Sequence, residues 1–195
     1  GWEDLVLPAS EFEQIIELVA RVRHKSQVLD RWGFAEKIGR GFGLSALMSG
    51  PPGTGKTMAA GLIANELGLD LYQVDLSKVV SKYIGETEKN LDRIFEAAER
   101  AGAVLLFDEA DAIATRRSAG APMPHDRETN LTINVLLREL EAFNGIVIFA
   151  TNLAANFDPA FERRIRTHVL FEMPGVKERE QIWELETQRL EMARR

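Results

Sequence analysis

Apolar residues Phe12, Ile15, Ile16, Val19 and Val22 recur at three- and four-residue spacing behind a Ser10–Glu13 capping-box pair, which predicts a helix from near Ser10 to about Asp30. Trp32, Gly33, Phe34 and the glycines at 39, 41 and 43 then mark a loosely structured connection. From Leu44 onward the pattern changes. Short apolar runs over Leu44–Ser49, Leu71–Asp75, Ala103–Phe107, Ile146–Ala150 and Val169–Phe171 alternate with helical patterns over 55–67, 86–100 and 126–143. A last helical pattern follows Pro174-Gly175 and carries Glu178, Ile182, Trp183, Leu185 and Leu190. Strands that alternate with helices build a parallel sheet, so the fold class is α/β: a three-layer core with a parallel five-stranded sheet flanked by helices. The runs Val104–Phe107 and Ile146–Phe149 are apolar throughout and read as central strands buried on both faces. Thr115–Pro124, with Arg116, Arg117, Gly120, Pro122 and Pro124, reads as a long surface loop. The chain therefore divides into a linker and helix (1–43), an α/β core (44–174) and a terminal helical segment (175–195).

Composition narrows the function classes. With 45% hydrophobic and 28% charged residues, the 195-residue chain has the balance of one globular domain. No apolar stretch is long enough to cross a bilayer and no secretion signal stands at the N-terminus, so a cytoplasmic protein without membrane partners is expected. The absence of an initial Met leads to the expectation of a fragment or processed form. Zero cysteines exclude thiol chemistry and disulfides. With only three histidines, His24, His125 and His168, any metal should sit on oxygen ligands. A net charge of −6 argues against nucleic acid as a partner.

The chemistry concentrates at strand ends. Gly50-Pro51-Pro52-Gly53-Thr54-Gly55-Lys56-Thr57 follows one strand and opens a helix, the context in which backbone N–H groups cradle phosphates. Side chains at Gly50, Gly53 or Gly55 would obstruct that approach, Lys56 would neutralise the β- and γ-phosphates, and Thr57 would put its hydroxyl on Mg²⁺. The candidate nucleotide-binding set is thus Pro51, Pro52, Gly53, Thr54, Gly55, Lys56, Thr57 and Met58. Asp108 and Glu109 end the buried strand Ala103–Phe107, where open α/β sheets bind ligands. Asp108 fits the role of holding Mg²⁺, and Glu109 that of general base for a water attacking the γ-phosphate, although the pair also suits the cap of a following helix over Ala110–Ala114. Asn152, after the strand Ile146–Ala150, is placed to orient the water or simply to make a turn.

With this loop, Phe107-Asp108-Glu109-Ala110-Asp111, Ala150-Thr151-Asn152 and the run Asp158-Pro159-Ala160-Phe161-Glu162-Arg163-Arg164-Ile165-Arg166 in order, the chain resembles the AAA+ ATPases along essentially its whole length. The resemblance implies the large subdomain of a P-loop NTPase core followed by the start of a helical lid. Lys82-Tyr83-Ile84-Gly85 matches the pore-loop position of the protein-remodelling AAA subgroup, where an aromatic ring would grip a threaded polypeptide; alone, Tyr83 reads as a packing residue. Thr115–Asp126 would be a second pore loop. The resemblance puts Asp4, Leu5 and Val6 near adenine, but this sequence lacks the glycine that usually follows them. It makes Arg163 and Arg166 the arginine fingers by which a neighbour completes the site, although Arg164-Ile165 and Thr167 depart from the family's usual residues and the arginines alone read as solvated surface. The run Val79–Asn90 is similar to bacterial AAA proteins encoded with contractile injection systems. These features imply ATP and Mg²⁺ as cofactors, self-association into a ring, hexameric in this family, and a protein substrate. The other reading is an ATP-dependent assembly scaffold or switch that does not thread.

Overall fold

The computed structural model describes residues 1–32, 43–79, 86–113, 124–152 and 159–193, without the side chains of 25–32, 112, 124–129 and 160. Five strands, β1 (Leu44–Ser49), β2 (Leu71–Asp75), β3 (Val104–Asp108), β4 (Ile146–Thr151) and β5 (Thr167–Leu170), pair in parallel in the order β2-β3-β4-β1-β5. Seven helices are described: α1 (Ala9–Trp32), α2 (Lys56–Leu67), α3 (Leu76–Val79), α4 (Glu86–Ala101), α5 (Pro124–Ala142), α6 (Pro159–Arg164) and α7 (Val176–Ala193). Three-residue and four-residue 3-10 turns occupy Trp2–Asp4 and Ala110–Ile113.

The period-two geometry of a strand sends alternate residues to opposite faces, and the core divides accordingly. Ala46, Met48, Val104, Leu106, Ile146, Ile148 and Ala150 pack with Ile15, Leu18 and Val19 of α1 and Ala59, Ala60, Ile63 and Ala64 of α2. Leu47, Leu105, Phe107, Val147 and Phe149 face the other way, against Leu91 and Phe95 of α4 and Leu136 of α5. That side holds a run of rings, Phe95–Phe107–Phe149–Phe161, with centroids 5.0–5.6 Å apart. The three-layer α/β expectation is therefore met, with β3 and β4 in the sheet interior. Because α1 packs into the same core as β1 and β4, residues 9–24 belong to the body of the domain.

Several local expectations are corrected. Helix α1 begins at Ala9, so Ser10 lies inside its first turn; the Pro8 carbonyl accepts from the Glu11 and Phe12 amides, and the helix starts on that carbonyl. Pro124 opens α5 rather than closing a loop, the first-turn position at which its missing N–H costs nothing. A single helical turn, α3, intervenes between β2 and the segment carrying Tyr83. Asp75 sets that turn, accepting from the Ser77 amide at 3.1 Å and pairing with Lys78 at 2.9 Å. The last strand is Thr167–Leu170, two residues earlier than the apolar run suggests, because Arg166 and Phe171 bond to Ser45 and Ser49 of β1 and set the register. Among the described residues no helix is long and apolar enough to cross a membrane.

Candidate nucleotide site

The strand order reverses direction at β1: the chain leaves β1 for the far edge at β2, returns through β3 and β4, and finally places β5 on the other side of β1. Crevices at the carboxyl ends of such strands are where open α/β sheets take ligands. One cavity there is lined by Pro52, Gly53, Gly55, Lys56, Thr57, Met58, Asp108, Glu109 and Asn152, so residues forecast from three separate segments meet in one place.

The loop after β1 is held open from below. Lys56 is buried, and its Nζ donates to the Gly50 carbonyl at 2.7 Å and the Pro51 carbonyl at 2.8 Å; Thr54, also buried, donates its hydroxyl to Pro51 at 2.9 Å. Burial holds the Lys56 ammonium below the usual lysine range, with Asp108, Asp111 and Glu109 pulling it back up. Among the described residues no carboxylate forms an ion pair with it. A buried cation satisfied only by carbonyls suits an anion such as a phosphate, which would supply the missing counter-charge. Gly53 has φ +77° and an added Cβ there would meet nothing within 4 Å, so its surface faces open space. At Gly50, with φ +147°, a Cβ would stand 2.0 Å from the Phe171 carbonyl oxygen; this glycine serves close packing against the end of β5 rather than ligand approach.

Across the cavity, Thr57 Oγ1 is 3.4 Å from Asp108 Oδ2. Among the described residues no cluster of three or more His, Cys, Asp or Glu side chains could hold a metal unaided. The pair Thr57 and Asp108 therefore fits a hard divalent ion that takes its remaining oxygens from phosphate and water, as Mg²⁺ does. Glu109 is the one non-glycine at positive φ among the described residues, at +54°. Such a conformation costs about 1–2 kcal/mol for an ordinary side chain and is characteristic of functional positions. It is held on both sides: the Glu109 amide donates to Asp108 Oδ1 at 3.0 Å, and two residues later Asp111 accepts from the Thr151 hydroxyl and, at 2.9 Å, from the Asn152 amide. Asp111 and Gln73, whose amide donates to Asp108 Oδ2 at 3.0 Å, are site residues for which the sequence pattern assigned no role.

The other forecast residues do not line this cavity. Leu5 reaches the loop, its Cδ1 lying 2.9 Å from where a Gly55 Cβ would be, and Leu5 and Val6 line a groove with Leu185 and Gln188 of α7. Asp4 pairs with Arg189 of α7 at 2.5 Å. Arg163 and Arg166 stand with Gly43, Leu44 and Ser45 at the opposite end of β1. The Arg163 Nε donates to Pro159 at 3.0 Å, Arg164 pairs with Glu141, and among the described residues the Arg166 guanidinium has no carboxylate partner. Lys82, Tyr83, Ile84, Gly85, Asp158 and most of the loop 115–126 lie outside the described residues.

Residues 46–173 match the model of the ATPase family associated with various cellular activities (AAA). The chain is 35% identical over 174 residues to the AAA family ATPase y4kL of Sinorhizobium fredii, covering 88% of this chain and 49% of that one. It is 35% identical over 187 residues to the ATP-dependent zinc metalloprotease FtsH of Pirellula staleyi (92% and 27%) and 36% identical over 188 residues to FtsH of Akkermansia muciniphila (93% and 22%). The chain thus spans half or less of the length of these relatives. With the family model matched over most of the chain and the loop, Asp108, Glu109 and Asn152 gathered in one cavity, this chain belongs to the AAA family of ATPases.

Proposed function

We propose that this chain is the ATPase module of a ring, binding and hydrolysing ATP with Mg²⁺ to unfold, thread or disassemble a protein partner. Lys56 and the amides of the loop bind the phosphates, Leu5 and Val6 flank the base, and Thr57 with Asp108 hold the metal, which when bound offsets phosphate charge. Glu109 takes a proton from a water held with the help of Asn152; that water's oxygen bonds to the γ-phosphorus as the bond to the bridging β–γ oxygen breaks, releasing ADP and phosphate. The strained Glu109 favours turnover over a passive switch, since a scaffold gains nothing from a poised base. The zinc protease activity in the FtsH name is said of those relatives alone, of which this chain covers 27% and 22%.

The observation that carries the ring is the placement of Arg163 and Arg166. The Arg166 amide bonds to Ser45, five residues before Gly50, and at ~3.3 Å per residue this is ~16 Å from the loop, beyond the reach of an arginine in the same chain. Arginines on that edge can serve a nucleotide only in a neighbouring subunit. The test mixes Lys56→Ala chains, which keep the arginines, with Arg163→Ala/Arg166→Ala chains, which keep the nucleotide pocket. ATPase activity above the sum of the separate variants is expected; activity equal to that sum overturns the shared site. The contractile-injection likeness rests on residues 79–90, of which 80–85 lie outside the described residues, and no substrate is drawn from it.

A further inference from the structure

In parallel pairing Gln73 of β2 sits opposite Leu106 of β3, so Asp108 is its diagonal neighbour two residues on, on the same face of the sheet. That face is the one that carries α2 and therefore Thr57. The consequence is that both carboxylate oxygens are held: Asp108 Oδ2 accepts from Gln73 Nε2 at 3.0 Å and from Thr57 Oγ1 at 3.4 Å, while Oδ1 accepts from the Glu109 amide. We propose that Gln73 is a positioning residue for the metal: its amide fixes the Asp108 carboxylate with Oδ2 turned to Thr57, so that the second lone pair of Oδ2 is already aimed at a divalent cation.

The Gln73 amide preorganises the carboxylate. A carboxylate at the end of a strand has a broad terminal torsion, and without an outside donor it samples orientations in which Oδ2 turns from Thr57. A neutral amide can hold it without competing for charge, whereas an arginine or lysine would neutralise Asp108 and weaken its attraction for the ion. Metal-ligating carboxylates commonly take such a bond from a residue behind them, and losing it costs metal affinity without removing a ligand.

This inference rests on the reading of Thr57 and Asp108 as the metal-holding pair. The test is a Mg²⁺ titration of the binding of a non-hydrolysable ATP analogue, by calorimetry, on the parent chain, Gln73→Leu, Gln73→Glu and Asp108→Ala. Gln73→Leu should raise the Mg²⁺ concentration at half-effect by about three- to tenfold, as expected for one hydrogen bond to a charged group near solvent, and leave Mg²⁺-free affinity unchanged. Gln73→Glu should raise it further, by placing a like charge against Asp108. If Asp108→Ala shifts the Mg²⁺ dependence but Gln73→Leu does not, Gln73 has no positioning role and the inference is overturned. If Asp108→Ala shifts nothing, the metal pair itself is misassigned. A fall in Mg²⁺-free affinity equal to that with Mg²⁺ would show that Gln73 merely supports the fold, which also overturns the proposal.

Discussion

Gly50 and Gly53 belong to one loop, and the structure predicts opposite consequences for giving each a methyl group. At Gly50 the new Cβ would stand 2.0 Å from the Phe171 carbonyl oxygen and 2.9 Å from its carbon. That backbone cannot easily retreat, because Phe171 donates to Ser49 at 2.7 Å while Gly50 itself donates to Thr151 at 3.2 Å. Backbone strain at φ +147° adds to the overlap, and the two together cost about 2–6 kcal/mol, a large share of the ~5–15 kcal/mol that holds a domain folded. At Gly53 the methyl meets nothing, so only the left-handed φ of +77° is penalised, by about 1–2 kcal/mol. It would, however, project into the cavity beside Lys56, keeping a phosphate from at least one donor and lowering ATP affinity about tenfold or more. Urea unfolding and ATP calorimetry on Gly50→Ala and Gly53→Ala separate the two effects. Equal destabilisation of the two variants, or full ATP affinity in Gly53→Ala, would mean that the two glycines do not serve these separate purposes.

Two further outcomes are expected. Tyr83→Ala should leave ATP hydrolysis within about twofold of the parent while abolishing work on a protein partner, read as unfolding of a fluorescent substrate; equal loss of both would make Tyr83 structural. Glu11 is buried, accepts from the Glu172 amide at 3.1 Å with one oxygen, and leaves Oε2 without a partner among the described residues. Burial, opposed by that amide and reinforced by the charges of Glu172 and Glu178, raises its carboxyl above the usual 4.5. The folded state therefore binds more protons than the unfolded state between that value and the raised one, and the Glu11 contribution to stability falls as pH rises through this window. Glu11→Gln should flatten this part of the profile in urea midpoints measured from acid to neutral pH; profiles that run parallel would contradict it.

The parts of this structure legible in the sequence are those in which one residue type can serve only one purpose. Val104–Phe107 and Ile146–Phe149 read as strands covered on both faces because half-exposed strands alternate apolar and polar positions, whereas these runs are apolar throughout. The glycines, lysine and threonine of the loop likewise announced phosphate chemistry. Gln73 and Asp111 were not legible because their roles depend on register: Gln73 matters only when β2 pairs with β3 so that it lies diagonal to Asp108, and Asp111 only when β4 brings Thr151 and Asn152 beside it. Helix α3 is four residues long, too short for a periodic signal, and α1 began on the Pro8 carbonyl where Ser10 had seemed the natural cap. Helix α7 shows the converse. Its apolar residues Ile182, Trp183 and Leu190 mark a helix that does form, yet all three are exposed and α7 contributes no buried residue among those described.

Glu109, at φ +54° between the fixed carboxylates of Asp108 and Asp111, is the proposed base for ATP hydrolysis in this cavity. Glu109→Gln preserves shape and removes only the ability to accept a proton. The decisive measurement is ATP binding and hydrolysis by the same preparation of this variant, with calorimetry for affinity and single-turnover release of phosphate for rate. Affinity within about twofold of the parent and a rate lower by about 100-fold or more are expected. Parental turnover with parental affinity would contradict that role.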